Sequence, residues 1–137
     1  MRGGLAIPRV LLMAEMDDRL TRDIISAAIV VSKQLGNGLL ESAYHKCLSY
    51  ELSKRGLAVV TQPTICVVYD GIEIGPAFKP DLIVNELVIV EVKAISSTLP
   101  VHRAQLRTYT RLSGTLTGLL LNFHAFPFTK GIIRLDA

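Results

Sequence analysis

The sequence predicts one α/β domain, a mixed sheet flanked by helices. Three observations carry that prediction. Apolar residues recur at helical spacing over two consecutive segments near the start. The middle is β-rich and punctuated by turn dipeptides. A further helical segment then leads into a continuous apolar run, "TGLLLNF", of the kind a buried strand needs.

The first helix is expected from about Asp17 to Leu35, with Leu20, Ile24, Ala27, Ala28, Val31 and Leu35 on one face. Asp17 and Asp18 suit the positive end of its dipole, and Gly36-Asn37-Gly38 ends it. Residues 1–16 are expected as a flexible tail, and 17–137 as the domain. The stretch "MRGGLAIPRVLLMAEM" is broken by Pro8 and Arg9 and offers a poor cleavage site, so it does not read as a secretory signal. Met13 and Met16 stand as alternative starts.

A second helix should run from about Leu39 to Arg55, with Leu40, Tyr44, Cys47, Leu48 and Leu52 as its apolar stripe. Gly56 ends it. "LAVVTQPTICVVYDG" is read as a strand interrupted at Pro63, with Asp70-Gly71 turning into "IEI". "DLIV" and "LVIVEVKA" form a hairpin around Asn85-Glu86. Thr98 or Ser97 should cap a third helix that begins near Pro100 and stops at Ser113-Gly114. "TGLLLNF" and "GIIRLD" supply the last two strands. The expected order is α-α-β-β-β-β-α-β-β.

Composition sets bounds. The chain has 137 residues, half of them hydrophobic, which is enough for a packed core and argues against disorder. Its formal charge of +3 permits a nucleic-acid partner without requiring one. Cys47 and Cys66 form no metal-binding or redox spacing and read as small buried reduced thiols, consistent with a cytoplasmic protein. No apolar run is long enough to span a membrane.

The charges in "KPDLIVNELVIVEVKA" need an explanation. Alternation puts Val88, Val90 and Val92 on one face of the strand, and Glu91 and Lys93 on the other. An antiparallel hairpin brings Asp81 near Glu91. Two adjacent carboxylates repel unless something positive stands between them. Lys93 alone would make a structural ion-pair network. A divalent cation would neutralise them better, and hard oxygen ligands suit Mg²⁺. Spacing alone leaves both readings open.

Asp81 after Pro80, followed by Glu91-Val92-Lys93, resembles the P-D…(D/E)-x-K signature of the PD-(D/E)XK nuclease superfamily. "GLLESAY", with Gly38, Glu41 and Tyr44, resembles the motif of the GxxExxY family within it. "AAIVVSKQLGNGLLESAY", "YELSKRGL", "AQLRTY" and "GLLLNF" are similar to that family's blocks in the same order. Lys79, where Arg is common, and Ser32, where His is frequent, depart from the pattern outside the signature.

The resemblance implies a restriction-endonuclease-like αβββαβ core with an extra N-terminal helix. It also implies a divalent-metal-dependent nuclease acting on DNA, with Mg²⁺ or Mn²⁺ as cofactor. Glu41, Asp81, Glu91 and Lys93 would be the catalytic set. Asp81, Glu91, Glu41 and the carbonyl of Val92 would hold the metal. Gln105 and Tyr109, one turn apart in "AQLRTY", resemble an accessory pair beside such sites, and Tyr44 joins them as an accessory or nucleic-acid contact. His45, Lys33, Arg103, Arg107 and Arg111 are further candidates for substrate contact, though a charged helix row is usually a solvated face; His102 reads as a surface histidine that could flank the site, and His124 is expected at a loop or strand end. A binding module of the same fold without turnover is the alternative, as is an orphan structural protein. A homodimer or a protein partner is a further expectation for so small a chain.

Overall fold

The computed structural model describes residues 7–137. A five-stranded sheet carries helices on both faces, and a separate two-stranded hairpin projects from it. Helix α1 spans Arg9–Leu35 and α2 spans Glu41–Lys54. Strands β1 (Val59–Thr61), β2 (Ile65–Tyr69), β3 (Ile72–Phe78), β4 (Leu82–Val84) and β5 (Val88–Lys93) follow. Helix α3 (Pro100–Ser113), β6 (Thr117–Asn122), a short 3-10 turn and β7 (Ile132–Asp136) complete the chain.

The main sheet runs β1-β4-β5-β6-β7; β5 and β6 are parallel, and the other neighbours are antiparallel. The βαβ unit β5-α3-β6 is what makes one pair parallel, since parallel strands need a crossover. Val88, Val90 and Val92 face α1 and α2, together with Leu82, Val84, Leu119 and Leu121. Ile89 and Leu120 face the other way, toward Leu106 of α3. Both faces of the centre are therefore covered, which is why β6 carries no exposed residue. Gly118 permits the close approach of α3: a Cβ there would run into Thr110 Oγ1 and Leu106.

Several expectations change. The first helix begins at Arg9, not Asp17, so residues 9–16 are helix rather than tail; residues 1–6 lie outside the described part. Pro8 serves as the N-cap residue, consistent with Pro preceding a helix. Asp17 and Asp18 consequently stand inside the helix, where they bind Arg134 instead of serving the dipole. The segment around Pro63 is two strands, not one. Gln62 adopts a left-handed backbone (φ 46°), and the chain leaves the main sheet there to form the β2-β3 hairpin.

Leu40 is 79% exposed as the N-cap residue of α2 and contributes nothing to its apolar stripe. Cys66 is exposed, not buried, on β2. The third helix is capped at Leu99 rather than Thr98 or Ser97: the Leu99 N–H donates to Nδ1 of His102 at 2.9 Å. That bond uses His102 for the helix start. Gly114 ends the helix in the left-handed conformation, φ 73°.

Candidate active site

The site begins with a hairpin register. Leu82 pairs with Val90, and Val84 with Val88. One step further the register would set Asp81 opposite Glu91. There the backbone ladder gives way to side chains. The Asp81 N–H donates to Oε1 of Glu91 at 2.9 Å, and the Val92 N–H donates to Oδ2 of Asp81 at 2.7 Å. Each carboxylate thus takes the amide that the other strand would otherwise have left unpaired. The tight turn that sets this register places Asn85 and Glu86 at positive φ. Asn85 Oδ1 anchors the turn by accepting the Ala58 N–H at 2.7 Å.

The electrostatics are unbalanced. Glu91 is 6% exposed, and its pKa is pushed up to about 7, first by burial and then by the charge of Asp81. Lys93 Nζ stands 3.9 Å from Oε2 of Glu91, at the outer limit of an ion pair. Glu41, at the first turn of α2, is also raised, first by partial desolvation and then by Asp81, although its side chain stays open to solvent; Lys93 and His45 oppose the shift. Three acids therefore share one weakly engaged ammonium.

His45 has a role that the sequence did not disclose. Its Nε2 lies 3.1 Å from the carbonyl oxygen of Asp81, which also accepts the Gln62 N–H at 2.9 Å. A carbonyl cannot donate, so the His45 Nε2 carries the proton. The imidazole thereby ties α2 to the residue at the head of β4. No local sequence pattern signals this contact, because it depends on how α2 docks against the sheet.

Gln105 and Tyr109 share one face of α3 as expected, and Gln105 Nε2 donates to the Tyr109 hydroxyl at 2.9 Å. The Tyr109 ring stacks on Phe78, with centroids 4.2 Å apart. The pair lies on the α3 side of the sheet, the side to which Ile89, Glu91 and Lys93 alternate.

Tyr44 does not fit a substrate-contacting role. It is fully buried, stacks on Phe123 at 4.7 Å, donates its hydroxyl proton to the Gly36 carbonyl and accepts the Leu39 N–H. A phenol at that position packs the core and closes the α1-α2 loop. His124 is also occupied by this loop, through Nε2 to the Leu39 carbonyl at 2.9 Å. Arg103, Arg107 and Arg111 are exposed and make no ion pair among the described residues. Lys33 lines a different hollow, with Phe126 and Thr129, from the one that Glu41 and Asp81 line.

The donor set suits a hard divalent cation. Asp81 Oδ1 and Glu91 Oε2 are left without backbone partners, and Mg²⁺ commonly takes one or two carboxylates and fills the rest with water and phosphate. Among the described residues, no three acidic, Cys or His groups are already gathered as a complete ligand cage. The arrangement is a two-carboxylate centre with Glu41 nearby.

A carboxylate-braced hairpin followed by a lysine, flanked by helices on a mixed sheet, defines the class to which this chain belongs. A sequence model of the PD-(D/E)XK nuclease superfamily matches residues 18–135, nearly the whole chain. The chain belongs to that superfamily, whose members generally use divalent metals such as Mg²⁺. No curated protein and no solved structure matches it. No helix among the described residues is long and apolar enough to cross a membrane.

Proposed function

We propose that this protein is a divalent-metal-dependent nuclease that hydrolyses phosphodiester bonds, with DNA as its expected substrate and Mg²⁺ or Mn²⁺ as its cofactor. One observation carries the reading: the braced Asp81–Glu91 pair is too poorly neutralised for a purely structural ion-pair network, with Glu91 pushed up to about 7 and its lysine 3.9 Å away.

Asp81 and Glu91 would hold the metal, with the Val92 carbonyl and Glu41 completing the set. When bound, the metal polarises the phosphate and lowers the pKa of a coordinated water. The Asp81–Val92 bond fixes the Glu91–Val92 peptide, which steadies the strand between the Glu91 and Lys93 side chains. Lys93 orients the attacking water and offsets charge that gathers on the phosphate oxygens. Glu41 adds a third acceptor, its pKa raised by desolvation and by the charge of Asp81, so that a bound cation would favour its ionised form. Gln105 and Tyr109 would support the site or contact the substrate from α3.

The test has two stages. Mg²⁺ or Mn²⁺ should raise the melting temperature of the wild type and leave Asp81→Ala and Glu91→Ala unmoved. Linear and circular, single- and double-stranded DNA and RNA are then offered as substrates. Lys93→Ala should lower kcat by about 10²–10⁴-fold. Metal binding with no cleavage of any of these substrates by the wild type would instead identify a nucleic-acid or protein binding module without turnover.

A further inference from the structure

A cleft of about 620 Å³ opens directly from the carboxylates. Glu41 and Asp81 form one end. From there it follows α2, where Ser42, Lys46, Ser49 and Tyr50 face Thr61 and Gln62 at the end of β1. Ser53 lies at the far end. We propose that this cleft is the track for one unpaired nucleic-acid strand that leads to the carboxylates. The proposal rests on the nuclease reading for what happens where the track ends.

The helix is divided by function. Tyr44, Leu48 and Leu52 are fully buried against the core. The opposing stripe, spaced by three or four residues, carries small hydroxyls, one lysine and one aromatic ring. Nothing in the core requires serines there. Short hydroxyl donors allow a sugar-phosphate chain to come close and contact it without reading sequence. The opposite wall is built for access. β1 is an edge strand, paired only with β4, and Gln62 turns off it in the left-handed conformation. The Gln62 N–H is held by the Asp81 carbonyl, so the wall and the site are one rigid piece.

Charge and shape select a single strand over a duplex. From Glu41 to Ser53 the helix rises about 18 Å. That length accommodates about five stacked nucleotides of one strand. A duplex presents one negative charge per about 1.7 Å of axis and is held by many lysine and arginine contacts. Here Lys46 is the lysine of the cleft that makes no ion pair among the described residues. Tyr50 supplies what an unpaired base needs: the residue is 68% exposed, with the Lys54 ammonium 5.6 Å from the ring centre. Exposed aromatics bind single strands by stacking, with little sequence preference, and Lys46 is placed to meet the backbone beside the ring.

The test is fluorescence anisotropy with Mg²⁺ in the Lys93→Ala background, so that bound strand stays intact. The probes are a 12-nucleotide oligo-dT, a 12-nucleotide oligo-U and a 12-base-pair DNA duplex. Both single strands, or one of them, should bind more tightly than the duplex, and the two arms decide whether the sugar matters. Tyr50→Ala and Lys46→Ala, both at exposed positions, should each raise the Kd for the single strand about tenfold. Tyr69→Ala, which removes an exposed aromatic at the tip of the β2-β3 hairpin, should leave it unchanged. Tighter binding of the duplex, no measurable binding of either single strand, or unchanged Kd in both groove variants overturns the track. Cleavage by the otherwise wild-type chain is assayed separately. Cleavage with unaffected groove variants retains the nuclease and rejects the track. Groove-dependent binding without cleavage does the reverse.

Discussion

Two clusters of three carboxylates and one cation stand at opposite ends of the same sheet, and they are put together differently. At one end, Arg134 reaches Asp18 at 2.6 Å, Asp136 at 3.2 Å and Asp17 at 3.6 Å, and the Thr117 hydroxyl donates to Asp17. Asp18 and Asp136 are open to water. At the other end, Lys93 approaches Glu91 alone, at 3.9 Å, while Asp81 and Glu91 spend their hydrogen bonds on backbone amides. The ratio of acids to bases is the same. The difference lies in whether a planar, many-donor guanidinium is held against all three acids or a single ammonium is left at a distance. The first is a closed ion-pair network. The second is short of positive charge, so Glu91 keeps a proton unless a cation replaces it, which is the property a cation site requires.

The widest separation should appear with pH in metal-free protein. Glu91 is neutral in the folded state up to about pH 7, whereas in the unfolded chain it ionises near its ordinary value of 4.5. The folded state therefore holds a proton that the unfolded state gives up. Stability should fall as pH rises from about 4.5 to 7 and level off above. The gap corresponds to about 3 kcal/mol. Glu91→Gln keeps an acceptor for the Asp81 N–H and removes the charge, so it should not share the fall. Urea melts in EDTA across that range provide the measurement. Parallel curves for wild type and variant would mean that the site is as well neutralised as the Arg134 cluster.

How much of this contrast could be read from the sequence follows from how local each part is. The hairpin was legible because a two-residue turn signal and a two-residue alternation fix both register and facing. Asp81, Glu91 and Lys93 therefore fell where expected. The apolar stripe of α1 was legible for the same kind of reason. The start of α1 was not: Asp17 and Asp18 resemble first-turn residues, and only their contact with Arg134, more than a hundred positions away, shows what they do. The β1-β2 break looked like an interruption within one strand, because Pro63 marks a break without stating which sheet each side joins. Tyr44 stands one helical turn after the carboxylate Glu41, yet its ring turns inward onto Phe123. His45 became significant only when α2 was set against Asp81.

A smaller effect is expected from the buried acid of the closed network. Asp17 is 5% exposed, and burial raises its pKa while the Thr117 hydroxyl opposes the rise. Thr117→Val preserves shape and removes that donor. One Asp17 oxygen already lacks a partner, so the second would depend on Arg134 alone. The expected loss is about 1–3 kcal/mol at neutral pH, measured by urea unfolding, with no change in the metal-induced melting shift. A change in that shift would show the two ends to be coupled through the sheet.

The smallest effect tests whether exposure, rather than count, separates the clusters. The Asp136 side chain is 71% exposed and shares Arg134 with Asp18, which is closer. In Asp136→Asn, water replaces what the guanidinium contributed, and Arg134 keeps its shorter contact. Stability should move by no more than about 0.5 kcal/mol. The same removal of one negative charge at Glu91 is expected to act through several times that energy, because burial leaves its carboxylate poorly solvated. Should Asp136→Asn cost as much as Thr117→Val, the network would be cooperative, and each of its acids would matter as a buried one does.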